Sequence, residues 1–281
     1  MRRDAGDSGR SLRPGSDRRT SESGLRPGSD RGVSETISFV LVFALVVASV
    51  GTVYAVGVTE LEATRDAERV ENAQRAFDVL ADNLNDLLEG APSRGTEIKL
   101  AEATLRSADN ARINLTVDPN GTASTSWEAP LSPLVYDVQA GGQVRLSNGA
   151  VLRDSERGTA AVVRGPPLVV DDDRVLLTII KQEHVGSAAV GGDRTIRVRM
   201  AASRPRRFYD NETVDFDMVR VNVTTPYTDA WGRHYESVGF TCSEADAPGP
   251  DSPGVVSCTV DNIDDVDRVT VVWVRVTTEF E

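Results

Sequence analysis

The sequence predicts an α+β protein: one long N-terminal helix, hydrophobic and then amphipathic, followed by a mainly antiparallel β domain that is either a sandwich or a rolled sheet. Three observations carry this. Residues 36–59 contain no charge, the apolar residues after Val70 recur at threes and fours, and from Glu97 onward short β-branched runs alternate with turn residues. The 281 residues leave room for a leader, the helix and one domain of ordinary size.

Residues 1–32 form the first segment. They hold eight Arg against five Asp and Glu, and they repeat Leu-Arg-Pro-Gly-Ser-Asp-Arg at 12–18 and 25–31. Gly, Pro, Ser and Arg in this proportion cannot bury a core, so the expectation is a disordered basic leader. The net charge is −12, and the leader contributes +3 while the remainder contributes −15. Arg beside a span favours the cytoplasmic side, so Arg26 and Arg31 place the leader inside and the acidic part outside. An acidic chain repels nucleic-acid phosphate, which sets DNA and RNA aside as partners.

Residues 33–59 are expected to form a transmembrane or assembly helix. A hydrocarbon core of about 30 Å needs roughly 20 apolar residues of helix, and Ile37 to Val58 meets that length. The membrane is therefore an expected partner. Ala44 with Ala48, and Gly51 with Ala55, stand four apart, a spacing of small residues that lets helix backbones approach.

Residues 60–90 continue as an amphipathic helical stem, because no Gly or Pro interrupts 58 to 89. Leu61, Val70, Ala73, Phe77, Leu80, Leu84 and Leu87 form its apolar stripe, expected to pack on the first sheet. Gly90-Ala91-Pro92 stops it: Gly suits the position beyond the last turn, and Pro cannot continue a helix.

Residues 91–281 are expected to be an external β domain. Its strands read as 97–104, 111–117, 134–138, 143–146, 160–163, 175–180, 195–200, 218–224, 255–260 and 268–277, with one short helix over 228–238. Turn signals include Pro119-Asn120-Gly121, Gly141-Gly142, Asn148-Gly149, Gly165-Pro166-Pro167 and Gly191-Gly192-Asp193. Cys242 and Cys258 are the two cysteines. In an oxidising exterior they are expected to bridge, stapling the Pro, Gly and Asp-rich loop between them.

Four sequons fall in this part: Asn114-Leu115-Thr116, Asn120-Gly121-Thr122, Asn211-Glu212-Thr213 and Asn222-Val223-Thr224. Each is a candidate for N-linked sugar on an external domain. The acidic runs 171–173 and 261–267 lack the glycine and terminal glutamate of an EF-hand and read as solvated faces. His184 and His234 have no metal-ligand spacing around them, and no nucleophile elbow, HExxH or phosphate-binding glycine pattern occurs. Trp231, His234 and Tyr235 suggest either a sugar-contacting surface or a helical turn covering the sheet. No cofactor, metal or enzymatic activity is expected.

Arg31-Gly32-Val33-Ser34-Glu35, set directly before an uncharged helix, resembles the N-terminus of haloarchaeal type IV pilins and pilin-like proteins. The acidic, lysine-poor composition likewise resembles proteins of salt-loving archaea. The resemblance implies a prepilin-type peptidase as partner, cutting between Gly32 and Val33. It further implies a cell-surface protein that self-assembles, or joins other pilin-like subunits, in a pilus or secretion filament. Glu35 would then neutralise its own or a neighbour's new amine, although pilin-like starts usually carry Pro after the Ser. Val221-Asn222-Val223-Thr224-Thr225-Pro226-Tyr227, followed by Ala230-Trp231, resembles the uncharacterised external domains attached to such starts. The alternative reading is a single-span anchored ectodomain that binds a ligand or glycan without polymerising.

Overall fold

An uninterrupted run of helix-compatible residues gives helix α1, Asp30–Leu88, in the computed structural model. The described residues are 30–119, 123–138, 142–154, 159–171, 173–203, 206–211, 216–246, 253–260 and 266–281. Residues 1–29 of the expected leader thus lie outside them. Helix α1 starts earlier than the expected 33, within the leader's last residues. The chain divides into two compact units, one ending at Gly57 and the other running from Val58 to Glu281.

In the second unit the stem ends at Gly90, whose φ of 108° is the left-handed geometry that glycine supplies beyond a last turn. Seventeen strands follow among the described residues. The first eight are β1 (Ser93–Lys99), β2 (Thr104–Ser107), β3 (Ala111–Pro119), β4 (Thr125–Leu131), β5 (Leu134–Val138), β6 (Gly142–Ser147), β7 (Ala150–Asp154) and β8 (Ala160–Arg164). Next come β9 (Leu168–Asp171), β10 (Arg174–Val185), β11 (Ala189–Gly191), β12 (Thr195–Ala202), β13 (Arg206–Asn211) and β14 (Phe216–Thr225). Helix α2 (Thr228–Glu236) then precedes β15 (Phe240–Asp246), β16 (Gly254–Val260) and β17 (Arg268–Phe280).

These strands build three sheets. Sheet A has the order β1-β12-β17-β10-β9 with β13 also on β17, sheet B the order β11-β2-β5-β6-β7-β8, and sheet C the order β15-β16-β14-β3-β4. Among the described residues every pairing is antiparallel except β10 with β17, which run parallel from Arg174↔Arg268 to Val185↔Glu279. Parallel strands are normally covered on both faces. That holds here: Val175, Leu177, Ile179, Val269 and Val271 enter one core, whereas Ile180, Val274 and Val276 enter the other.

The first core lies under sheet C. Its strands β3, β14 and β16 alternate buried and half-exposed residues, so one face is apolar and the other meets solvent. Helix α2 contributes Trp231 and Tyr235, buried and stacked at 5.7 Å between ring centroids. The second core is built by the stem. Val70, Ala73, Phe77, Leu80, Ala81, Leu84 and Leu87 are buried against residues of both sheet A and sheet B. Burying each large side chain there contributes about 1.5–3 kcal/mol as an upper range. Two expectations change: the stem packs on two sheets rather than the first alone, and Leu61 is 63% exposed.

Two strand boundaries also differ. The expected strand 97–104 breaks because Ala101 and Glu102 take φ of 49° and 73°, closing a turn with the Ala103 amide on the Leu100 carbonyl at 2.9 Å. Strand β10 runs on past Ile180 because its parallel partner stays in register for its whole length.

Candidate functional site

The apolar half of α1 carries its large side chains exposed. Phe39, Leu41, Phe43, Leu45, Val50 and Val53 are each at least 60% exposed, and Ile37, Val40 and Val47, more than half exposed, fall on the side these leave open, so the helix is apolar all round. The backbone is satisfied internally, as hydrocarbon requires. The two hydroxyls near its centre are satisfied as well: Ser49 Oγ donates to the Val46 carbonyl at 2.9 Å and Thr52 Oγ1 to the Ala48 carbonyl at 2.9 Å. One helix is long and apolar enough to cross a membrane, which suits a single-pass anchor.

Helical geometry also arranges the small residues. Ala44, Ala48, Gly51 and Ala55 are separated by four, three and four positions, so they share one face. A Cβ added at Gly51 would meet no atom within 4 Å. Gly32 and Val33 belong to the first turns of α1, and Glu35 is exposed one turn into it.

Cys242 and Cys258 face each other in register on β15 and β16 and are joined by a disulfide. Cys258 is fully buried and Cys242 half-buried. The sequons spread over three places. Asn114 and Asn222 stand directly opposite on β3 and β14, Asn211 Nδ2 donates to the Tyr209 hydroxyl at 3.1 Å, and Asn120 lies outside the described residues. Gly141, Asp172 and residues 261–265 of the second acidic run also lie outside them. Among the described residues no group of His, Cys, Asp and Glu is arranged to hold a metal ion.

His184 Nε2 contacts the Ser187 carbonyl at 2.7 Å, and its ring packs 4.2 Å from that of Phe280. His234 is half-buried on α2, and burial holds its pKa below the usual histidine value. A Cβ at Gly165 would come within 2.5 Å of the His234 ring, so any larger residue in the β8–β9 connection would have to displace that ring. Trp231 and Tyr235 are buried, which removes the sugar-contacting surface and leaves the covering helix.

One cluster was not anticipated from sequence. Arg145 on β6 is 4% exposed, with its guanidinium 5.0 Å from the centroid of the Tyr227 ring and Nη1 donating to Asn110 Oδ1 at 2.9 Å. The Tyr227 hydroxyl lies 3.1 Å from Asp154 Oδ2 and 3.3 Å from Gln143 Oε1. Burial lowers the pKa of Arg145 and raises that of Tyr227; Tyr227 and Asp154 favour the charged guanidinium, while Arg106 opposes it. The cluster ties sheet B to the chain entering α2. Its polar residues read as solvent-facing positions in an alternating strand, and no local signal marks them as buried.

The protein-family comparison finds a match over residues 31–279 to the family described as "Family of unknown function (DUF7289)". The match runs through both the apolar helix and the β domain. No curated protein and no solved structure matches the chain.

Proposed function

We propose a role for this chain, which belongs to the family of unknown function DUF7289, from its own chemistry: it is a pilin-like protein of the cell surface. A prepilin-type peptidase cuts between Gly32 and Val33, residues 33–59 hold the mature chain in the bilayer, and the β domain faces the exterior. From the bilayer the chain assembles with other subunits through α1.

The observation that carries this reading is the helix that is apolar on every side up to Val58 and becomes the packed stem by Val70, with no intervening break. In water such a surface is unfavourable. In hydrocarbon each Leu, Ile, Phe or Val near the helix centre contributes about 0.3–0.6 kcal/mol toward insertion. Before cleavage the leader's Arg residues resist entering hydrocarbon, at about 2.5–3.5 kcal/mol each, and so hold the segment in place. Removing them frees the helix to leave sideways into an assembly, where Ala44, Ala48, Gly51 and Ala55 present a face along which a second backbone can come close.

The mass of the chain isolated from host membranes tests this. A mature terminus at Val33, together with recovery of the chain in sheared filaments, supports the proposal. An uncut Gly32–Val33 bond supports an anchored ectodomain that never polymerises.

A further inference from the structure

The structure assigns a single N-linked glycan to the outer face of sheet C, carried by Asn114 and not by Asn222. This inference rests on the external placement proposed above. Side chains two apart in a strand share a face, so an Asn-X-Thr run in a strand displays the acceptor amide and the hydroxyl together. Strands β3 and β14 both do this toward solvent. Asn114 and Thr116 flank buried Leu115, and Asn222 and Thr224 flank buried Val223, with all four polar residues half-exposed.

The two acceptors are not independent. Asn114 and Asn222 are opposed in the β3–β14 register, where Cα atoms of an antiparallel pair stand about 4.5–5.5 Å apart. Two sugar rings rising from that point would compete for one space, so the face accommodates one.

Which amide carries it follows from the surroundings. Asn114 Nδ2, the atom that bonds to sugar, donates to Ser126 Oγ at 3.2 Å in an exposed hydrogen bond toward the edge strand β4. That contact is weak and easily replaced. Asn222 lies on the central strand with Oδ1 buried and without a partner among the described residues. Directly opposite Asn114 on β4 stands Glu128, held by Arg112 at 2.6 Å, while Thr116 and its β4 partner Ser126 give the other side short hydroxyl side chains on which a first sugar has room to lie. At Asn211, whose sequon partner Thr213 lies outside the described residues, modification would displace Nδ2 from Tyr209, whose ring packs edge-on against Trp127 at 5.3 Å.

The donor is a lipid-linked oligosaccharide. The bond between its anomeric carbon and the carrier phosphate breaks, a bond from that carbon to Asn114 Nδ2 forms, the amide loses one proton, and the lipid phosphate leaves with the electron pair.

The full chain, isolated from the membranes of its own host and digested with protease, is the sample for mass spectrometry. The expected result is a glycan mass on the Asn114 peptide and an unmodified Asn222 peptide. Thr116→Val should abolish the modification and Thr116→Ser should retain it, which separates a lost sequon from a lost fold. A bare Asn114, or a glycan on Asn222, in a chain whose β domain is protease-accessible on intact cells overturns this inference alone. A β domain that protease cannot reach overturns both this inference and the reading beneath it.

Discussion

The side-chain amide of Asn148 pairs with the backbone of β10 at Ile180: Oδ1 accepts the Ile180 N–H at 2.8 Å, while Nδ2 donates to the Thr178 carbonyl at 3.2 Å. Asn148 sits in the β6–β7 turn of sheet B with φ 49°, a geometry asparagine tolerates well, and is 2% exposed. One side chain therefore supplies to an edge of sheet A what a neighbouring strand would. Asn148→Ala leaves a buried donor and a buried acceptor unpaired, and should destabilise the β domain by about 2–3 kcal/mol. Asn148→Asp buries a carboxylate against the Thr178 carbonyl and should destabilise at least as much as Ala. Urea unfolding of the full chain in detergent checks both.

The two halves of α1 should respond oppositely to truncation. Phe77→Ala removes a fully buried ring beneath both sheets and should cost about 3–5 kcal/mol in the same unfolding experiment. Phe39→Ala removes a ring that is 70% exposed, so the unfolding midpoint should stay within error. Equal effects would contradict the division of the helix into a packed and an unpacked part.

Acid should loosen the contact between α2 and the β8–β9 connection. Burial lowers the His234 pKa, so the folded state binds its proton less readily than the unfolded state. The stability linked to this group is therefore complete above the unfolded value near 6.5 and is lost as pH falls through the folded value. His234→Gln should flatten the decline in thermal midpoint between about pH 7 and pH 5, read by circular dichroism.

Gln182 should be a site where a less polar residue is better tolerated than the native one. It is 1% exposed, and both Oε1 and Nε2 lack a hydrogen-bond partner among the described residues. Burying an amide without a partner is unfavourable. Gln182→Met, close in volume, should raise stability by about 1–2 kcal/mol. A loss of stability would mean that an ordered water or other partner satisfies the amide.

The stem was legible because burial and period coincide. The repeat from Val70 to Leu87 reappears residue for residue as the buried stripe, whereas Leu61, outside the three-four rhythm, is exposed. The alternation in β3, β14 and β16 was equally readable. Strands β4, β7, β9, β11, β13 and β15 were not, nor was β2 beyond Thr104. Strand β4 carries Glu128 and Pro130 at an edge, where a missing N–H is tolerated, and β15 spells Phe-Thr-Cys-Ser-Glu-Ala-Asp, which has little β-branched content. The parallel pairing of β10 with β17 joins segments separated by about half of the β domain, and the burial of Arg145 depends on Tyr227 arriving from a distant turn. Such partners are set by topology, which a local pattern does not encode.

Protease added to intact cells of the host, with membranes then pelleted and both fractions identified by mass spectrometry, bears most directly on the proposal that α1 anchors an external domain. The predicted result is release of peptides from residues 91–281 without lysis, while peptides from residues 33–59 stay in the pellet. Peptides of the β domain that appear only after lysis, or a chain that leaves the membrane in salt alone, would contradict it.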